Sequence, residues 1–400
     1  MPRSAVEVAD ILRGLGPSLR DGLSRDQHRA VNAILACRTA ALGGHVSRCA
    51  DCDHIDVAYN SCRSRSCPKC QAAASYDWLE ARRRDLLPVP YYHIVFTLPA
   101  PIARIAFQNK REVYDALFKA TAETLMTIGA DPKHLGAKLG ATLVLHTWGS
   151  AMTHHPHIHG VVAGGGLSPD GSRWIDCRKR FFLPVRVLSR VFRRLMCERL
   201  ANLHADGKLS FFGDLAPLSD RQAFTTLLET QRRRDWVVYA KRPFAGPDQV
   251  LSYLARYTHR IAISNSRITS YDGTSVTFRI KDYRRNGADR YGTMTLAGPE
   301  FARRFLSHVL PDGLHRIRHV GFLANTQRRG AIERARALLA DRAPPVKAEK
   351  EAEAPPLAKT APEPAACPCC GGRMVLAELI ERASWKMPHR TVQPEGRDSS

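Results

Sequence analysis

Two cysteine pairs, Cys49-Ala-Asp-Cys52 and Cys67-Pro-Lys-Cys70, constrain this chain more than any other feature. Each CxxC knuckle turns two thiolates toward one point, and two knuckles complete the four-sulfur tetrahedron that structural zinc prefers. The fourteen residues between them close a compact, zinc-ribbon-like module. Six of the eleven cysteines lie between Cys37 and Cys70; His45, His54 and Cys62, joined by Cys37, are near enough in sequence to help hold a second ion, although Cys37 by itself reads as a buried helix residue. So short a segment has little core, so Zn²⁺ is expected to supply its folding energy. Cys367, Cys369 and Cys370 make half of a similar knuckle with no second pair after it, which reads as an incomplete site. Cys177 and Cys197 stand alone and read as core residues.

Charge narrows the choice of partner. Sixty Lys and Arg against 38 Asp and Glu leave a net +22, and arginines cluster at 82–84, 178–180, 232–234, 284–285 and 328–329. One such cluster reads as a solvated surface, but all of them without balancing acids favour a polyanion, and nucleic acid is the commonest. No run of eighteen apolar residues is present, so no membrane-spanning helix is expected. The start, MPRSAVEVAD, has acids and no apolar stretch, which does not read as an export signal and implies a cytoplasmic chain whose thiols stay reduced.

Patterning divides the chain into four parts: a helical and cysteine-rich region at 1–88, a large mixed domain at 89–341, a Pro/Ala/Glu/Lys-rich linker at 342–366 and a tail at 367–400. Ser24 and Gln27 form a capping box ahead of a helix. Beyond Pro90 the pattern predicts strands at 91–99, 141–149, 157–166, 236–241, 260–264, 275–281 and 314–322. Helices are expected at 71–87, 103–128, 185–206, 218–233, from Pro247, near 299–309, and after the last strand to about Asp341. Mixed elements with hairpin-like spacing indicate an α+β fold around a mostly antiparallel sheet.

Two motifs carry chemistry. In the strand His157-Ile158-His159 both imidazoles project from one face, and two His ligands leave a metal open positions for phosphate oxygens. In the helix expected from Pro247, Tyr253 and Tyr257 are four apart and share a face, with Arg256 and Arg260 beside them for phosphate charge. An aromatic core stripe would show the same spacing, but this segment is unusually polar for one.

Four stretches, LHTWG (145–149), HHPHIHGVVAGGGL (154–167), WVVYAKRPFAGP (236–247) and YLARYTHRIAISNSRI (253–268), resemble the rolling-circle two-tyrosine insertion-sequence transposases of the HUH (His-hydrophobic-His) nuclease superfamily. NSCRSRSCPKC (60–70) is similar to the zinc-binding region those transposases carry, and the similarity runs from about residue 25 to 340. The resemblance implies a palm-like central antiparallel sheet flanked by helices. It also implies Mg²⁺ or Mn²⁺ on His157 and His159, and Tyr253 and Tyr257 as the nucleophiles. A third metal ligand is usual in that superfamily; His146 is the first candidate and His155 the second. Lys241 becomes a candidate phosphate ligand, and the implied partners are single-stranded DNA and transposon-end hairpins. Rival readings are an HUH replication initiator or relaxase, and a non-catalytic zinc-containing DNA-binding regulator.

Overall fold

The computed structural model describes residues 6–178, 182–241, 261–282, 287–324, 326–340 and 366–382. At its centre lie strands β3 (Tyr91–Thr97), β4 (Lys138–Trp148), β5 (His154–Leu167), β7 (Val238–Lys241) and β11 (Ile317–Gly321), in the order β11-β4-β5-β3-β7. Every neighbouring pair is antiparallel, and a short β6 (Trp174–Asp176) adds to β5.

The period of two in these strands sorts their side chains. Ile94, Phe96, Leu143, Leu145, Ile158 and Val162 face helices α5 (Lys110–Ala130) and α6 (Val185–Ala205) in the largest core. The alternate residues, among them His93, His146, His157 and His159, lie on the opposite face. Strand β5 ends in Gly164, Gly165 and Gly166 because side chains would not fit. A Cβ at these positions would meet Pro90 O at 2.6 Å, Trp174 Nε1 at 2.6 Å and Lys138 O at 2.3 Å.

The helix expected at 103–128 is two, α4 (Ala100–Gln108) and α5, broken at Asn109. The Asn109 amide donates to Ile105 O and Ser210 O and accepts from the Ser210 N–H, so a distant segment stabilises the break. The Ser24–Gln27 capping box opens α2 (Arg25–Ala36) with both reciprocal bonds formed.

A second core joins segments that are far apart in sequence. Val8, Ile11 and Leu12 of α1 (Val8–Gly14) and Val31 and Ile34 of α2 pack with Phe301 and Phe305 of the helix Gly298–Ser307. They also meet Val276 and Phe278 of a sheet formed by β8 (Ile268–Tyr271), β9 (Ser275–Lys281) and β10 (Tyr291–Ala297). Residues 261–264, expected in a strand, form none; Ile261, Ala262 and Ile263 are instead buried in this core. Apolar residues in a short run bury equally well as a packed irregular segment, and periodicity does not separate the two.

The cysteine module is a three-stranded sheet, β12-β1-β2, of β1 (Gly44–Cys49), β2 (Ile55–Tyr59) and β12 (Met374–Ile380). The tail therefore does not stand apart: its strand pairs with β1 along Gly44–Cys49. The expected linker lies outside the described residues up to position 365, as does the helix expected from Pro247. Among the described residues no helix is long and apolar enough to cross a membrane.

Candidate functional site

Three imidazoles meet on the open face of the central sheet. Antiparallel register sets His146 on β4 directly opposite His157 on β5, and His159 follows two residues along the same face. The coordinating nitrogens of His146, His157 and His159 all lie within 4.8 Å of one another. His157 Nδ1–H donates to the His155 carbonyl at 2.6 Å, which leaves the Nε2 lone pair free for a metal.

That lone pair faces His159 Nε2 at 3.0 Å. His159 is held from behind, its Nδ1 lying 2.8 Å from His93 Nε2 on β3. When His159 donates its Nδ1–H to His93, both Nε2 atoms turn lone pairs toward one point, as two ligands of a single ion would. Octahedral ligands at about 2.1 Å from Mg²⁺ or Mn²⁺ stand ~3.0 Å apart when adjacent, so the donor set fits such an ion. Burial pushes His157 down to about 4, and burial with the nearby Lys241 charge does the same to His93, so both rings stay neutral as a ligand set needs.

His93 was not legible as part of the site; its strand YYHIVFT reads only as a β-branched and aromatic run, and it is buried almost throughout. Its role comes from pairing, since β3 sets Val95 opposite His159 and so places His93 diagonally beside it. Trp148 stacks on His146 with ring centroids 4.6 Å apart and fixes that third ring. His155, the other candidate third ligand, lies outside the group whose nitrogens converge. Its carbonyl, rather than its ring, serves the site.

Lys241 is exposed and lies opposite His93 in the β3–β7 pair, on the histidine face. Tyr253, Tyr257, Arg256 and Arg260 lie outside the described residues, but both ends of the 242–260 segment are placed. One end is Lys241. At the other, Ile261 and Ala262 line a small cavity of about 30 Å³ with Leu145, Thr147 and Trp148. The chain thus leaves the histidine cluster beside His93 and returns beside the ring that stacks on His146.

The cysteines divide differently from the expected single set. Cys67 and Cys70 converge with Cys37 and Cys62, whereas Cys49 and Cys52 converge with Cys367 and Cys370. The β1–β2 hairpin is the reason. Five residues at about 3.3 Å each separate its tip, which carries Cys49 and Cys52, from its base by ~17 Å. Cys37 precedes the hairpin, Cys62 follows it, and both reach the 67–70 knuckle at the base. His45, also expected as a ligand, belongs to neither set; it is exposed on β1, opposite Ala58 and Leu379. In the first set Cys37 Sγ and Cys62 Sγ lie 3.5 and 3.6 Å from Cys70 Sγ. Those distances are too long for disulfides and close to the ~3.8 Å edge of a tetrahedron with Zn–S bonds of about 2.3 Å.

Some arginine clusters are structural. Arg82 and Arg328 both pair with Asp85 and so tie α3 (Gln71–Arg83) to the helix Arg328–Ala340.

Comparison with known proteins finds transposases. A family model described as "Putative transposase" matches residues 140–330, and one described as "Transposase zinc-binding domain" matches residues 11–98. "Putative transposase y4qJ" of Sinorhizobium fredii is 52% identical over 391 residues, 95% of this chain and 97% of that protein. "Transposase for insertion sequence element IS801" of Pseudomonas savastanoi pv. phaseolicola is 29% identical over 311 residues, 77% of this chain and 73% of that one. A solved structure of the conjugative relaxase TrwC with oriT DNA covers 62% of this chain and 72% of its own at 14% identity. Its TM-score of 0.23 is too low to bear on the fold.

Proposed function

This chain belongs to the insertion-sequence transposases that carry an N-terminal zinc-binding domain, and on that premise we propose that it moves DNA by rolling-circle transposition through covalent tyrosine–DNA intermediates. The observation that carries the reading is the convergence of His146, His157 and His159 between the two placed ends of the tyrosine-bearing segment. Mg²⁺ or Mn²⁺ held by the three imidazoles would supply a Lewis acid that neutralises charge on the scissile phosphate.

The remaining steps belong to the chain. Either Tyr253 or Tyr257 attacks the phosphorus through its phenolic oxygen and loses the O–H proton. The bond from phosphorus to the 3′-oxygen breaks, and that oxygen leaves as a hydroxyl after taking up a proton. A 5′-phosphotyrosine remains and conserves the phosphodiester energy, so a free 3′-hydroxyl can reverse the step without ATP. A second tyrosine lets a second strand be held while the first waits, which exchange between donor and target requires. Lys241 and the two arginines hold phosphates beside the metal. This reading places the chain in the cytoplasm, on DNA, with single strands and end hairpins as its substrates.

The testing experiment is cleavage of single-stranded oligonucleotides carrying the element's ends, with and without Mg²⁺ or Mn²⁺. Cleavage that requires the ion and prefers single strands over duplex is expected. Binding with no cleavage under any divalent ion would make the chain a DNA-binding regulator and overturn the proposal.

Binding itself is expected to weaken steeply with salt, because Lys and Arg contacts release counterions from phosphates. Lys241→Ala should lower the slope of log affinity against log salt by about one, uniformly across sequences. Titrations at several salt concentrations check this; a flat response in the unaltered protein, or an unchanged slope in the variant, would remove Lys241 from the phosphate contacts.

A further inference from the structure

The second cysteine set is built from two knuckles of the same design. In the first, the Cys49 amide donates to His54 O at 2.8 Å, and in the other the Cys367 amide donates to Gly372 O at 2.8 Å, five residues ahead in each case. The amides two residues after Cys49, Cys367 and Cys370 donate to those sulfurs, each at 3.4 Å, and the His54 amide does so to Cys52. The residue after each second cysteine takes a positive φ: +58° at Asp53 and +76° at Gly371. Backbone N–H groups aimed at sulfur stabilise thiolate over thiol, and the repeated turn is what presents two sulfurs to one ion.

The knuckles also abut face to face. Cys49 Sγ lies 3.5 Å from Cys370 Sγ, and Cys52 Sγ lies 3.6 Å from Cys367 Sγ, near the tetrahedral zinc edge. The Ala50 amide donates to Arg373 O, and Gly372 approaches so closely that a Cβ there would lie 2.0 Å from an Asp51 carboxylate oxygen. Cys49 and Cys367 are buried together with Met374. The matched zinc-binding domain ends at residue 98, far short of Cys367.

We propose that Cys49, Cys52, Cys367 and Cys370 hold a second structural Zn²⁺ ion that clasps the C-terminal strand onto the N-terminal hairpin. The ion closes the chain on itself across cysteines 315 and 321 residues apart. The whole catalytic sheet lies within that closed loop. Strand β12 lies at the edge of a three-stranded sheet and its apolar side chains are largely exposed (Leu376 62%, Leu379 69%), so sheet pairing by itself offers it little burial. The metal supplies what that strand's own packing does not.

Zinc analysis of the purified full-length protein tests the clasp, with two ions per chain expected. Cys367→Ser with Cys370→Ser should retain one, Cys49→Ser with Cys52→Ser should also retain one, and all four together should still retain one, because the pairs share an ion. Cys369→Ser, beside the site but outside the tetrad, should retain two. Alkylation of the unaltered protein gives a readout that needs no variant to fold. Cys52, Cys369 and Cys370 are all exposed, yet Cys52 and Cys370 should resist alkylation until a strong chelator is added, while Cys369 reacts at once. A protein with one zinc, a Cys367/Cys370 variant that keeps two, or Cys370 reacting as fast as Cys369 would overturn the clasp.

Discussion

Replacing His157 and His159 together with Ala is expected to lower DNA cleavage by at least about 10³-fold, the equivalent of ~4 kcal/mol of lost transition-state stabilisation. DNA binding should change by less than about threefold, because lysines and arginines carry most of the phosphate contacts. The fold should survive, since both side chains leave the sheet on the face opposite the main core, where Ile158 is packed. His93→Ala should give an intermediate result. His93 touches no metal position but braces His159, and loss of such a brace weakens metal affinity by about 10–100-fold. Raising the Mn²⁺ concentration should therefore restore His93→Ala cleavage but not that of the double variant. A metal titration separates the two, and cleavage within tenfold of normal in the double variant would mean that the imidazoles are not the metal site.

Removal of two oxygen atoms is expected to have an effect as large. Tyr253→Phe with Tyr257→Phe keeps ring volume and apolar surface and deletes only the phenolic hydroxyls. If those oxygens are the nucleophiles, no protein–DNA adduct forms, and cleavage falls by about 10⁴-fold or more, as in other enzymes that lose a nucleophile. Single substitutions should each leave part of the cleavage but impair strand exchange, which needs two strands held at once. Intact-mass analysis of the protein after incubation with a short single strand counts the adducts directly. Adduct persisting in the double variant would make the pair a packing feature and send the search for a nucleophile elsewhere.

The outcome also shows which physical information a sequence carries. The HIH strand was legible because a period of two places alternate residues on one face whatever the surroundings. A third ligand was implied by the family resemblance, and His146 ranked ahead of His155 because 141–149 was expected to pair with 157–166, which the structure realises as an antiparallel pair. His93 escaped because its role depends on β3 lying across β5, a pairing no local pattern specifies. Asn109 carries no helix-breaking chemistry of the Pro or Gly kind; Ser210, a hundred residues on, supplies the partner that helps hold the break. Strand β10 alternates only over Thr293, Met294, Thr295 and Leu296, with Met294 and Leu296 half-buried against the second core, too short a pattern to stand out in the sequence. The cysteines were recognisable as metal ligands, but their partition was not. Spacing suggested that neighbouring knuckles share an ion, whereas the β1–β2 hairpin holds them apart and the tail supplies the missing pair.

Strand polarity tests the central claim most directly. A single-stranded oligonucleotide spanning the cleavage site, labelled separately at its 5′ and 3′ ends, is incubated with the protein and Mn²⁺ and resolved under denaturing conditions. The 3′-end label is expected to migrate with the protein, because the downstream fragment is held as a 5′-phosphotyrosine. The 5′-end label should appear on a free fragment ending in a 3′-hydroxyl. Both labels on free fragments would mean that water, not tyrosine, is the nucleophile, and a protein-bound 5′-end label would reverse the assigned polarity; either result contradicts the mechanism.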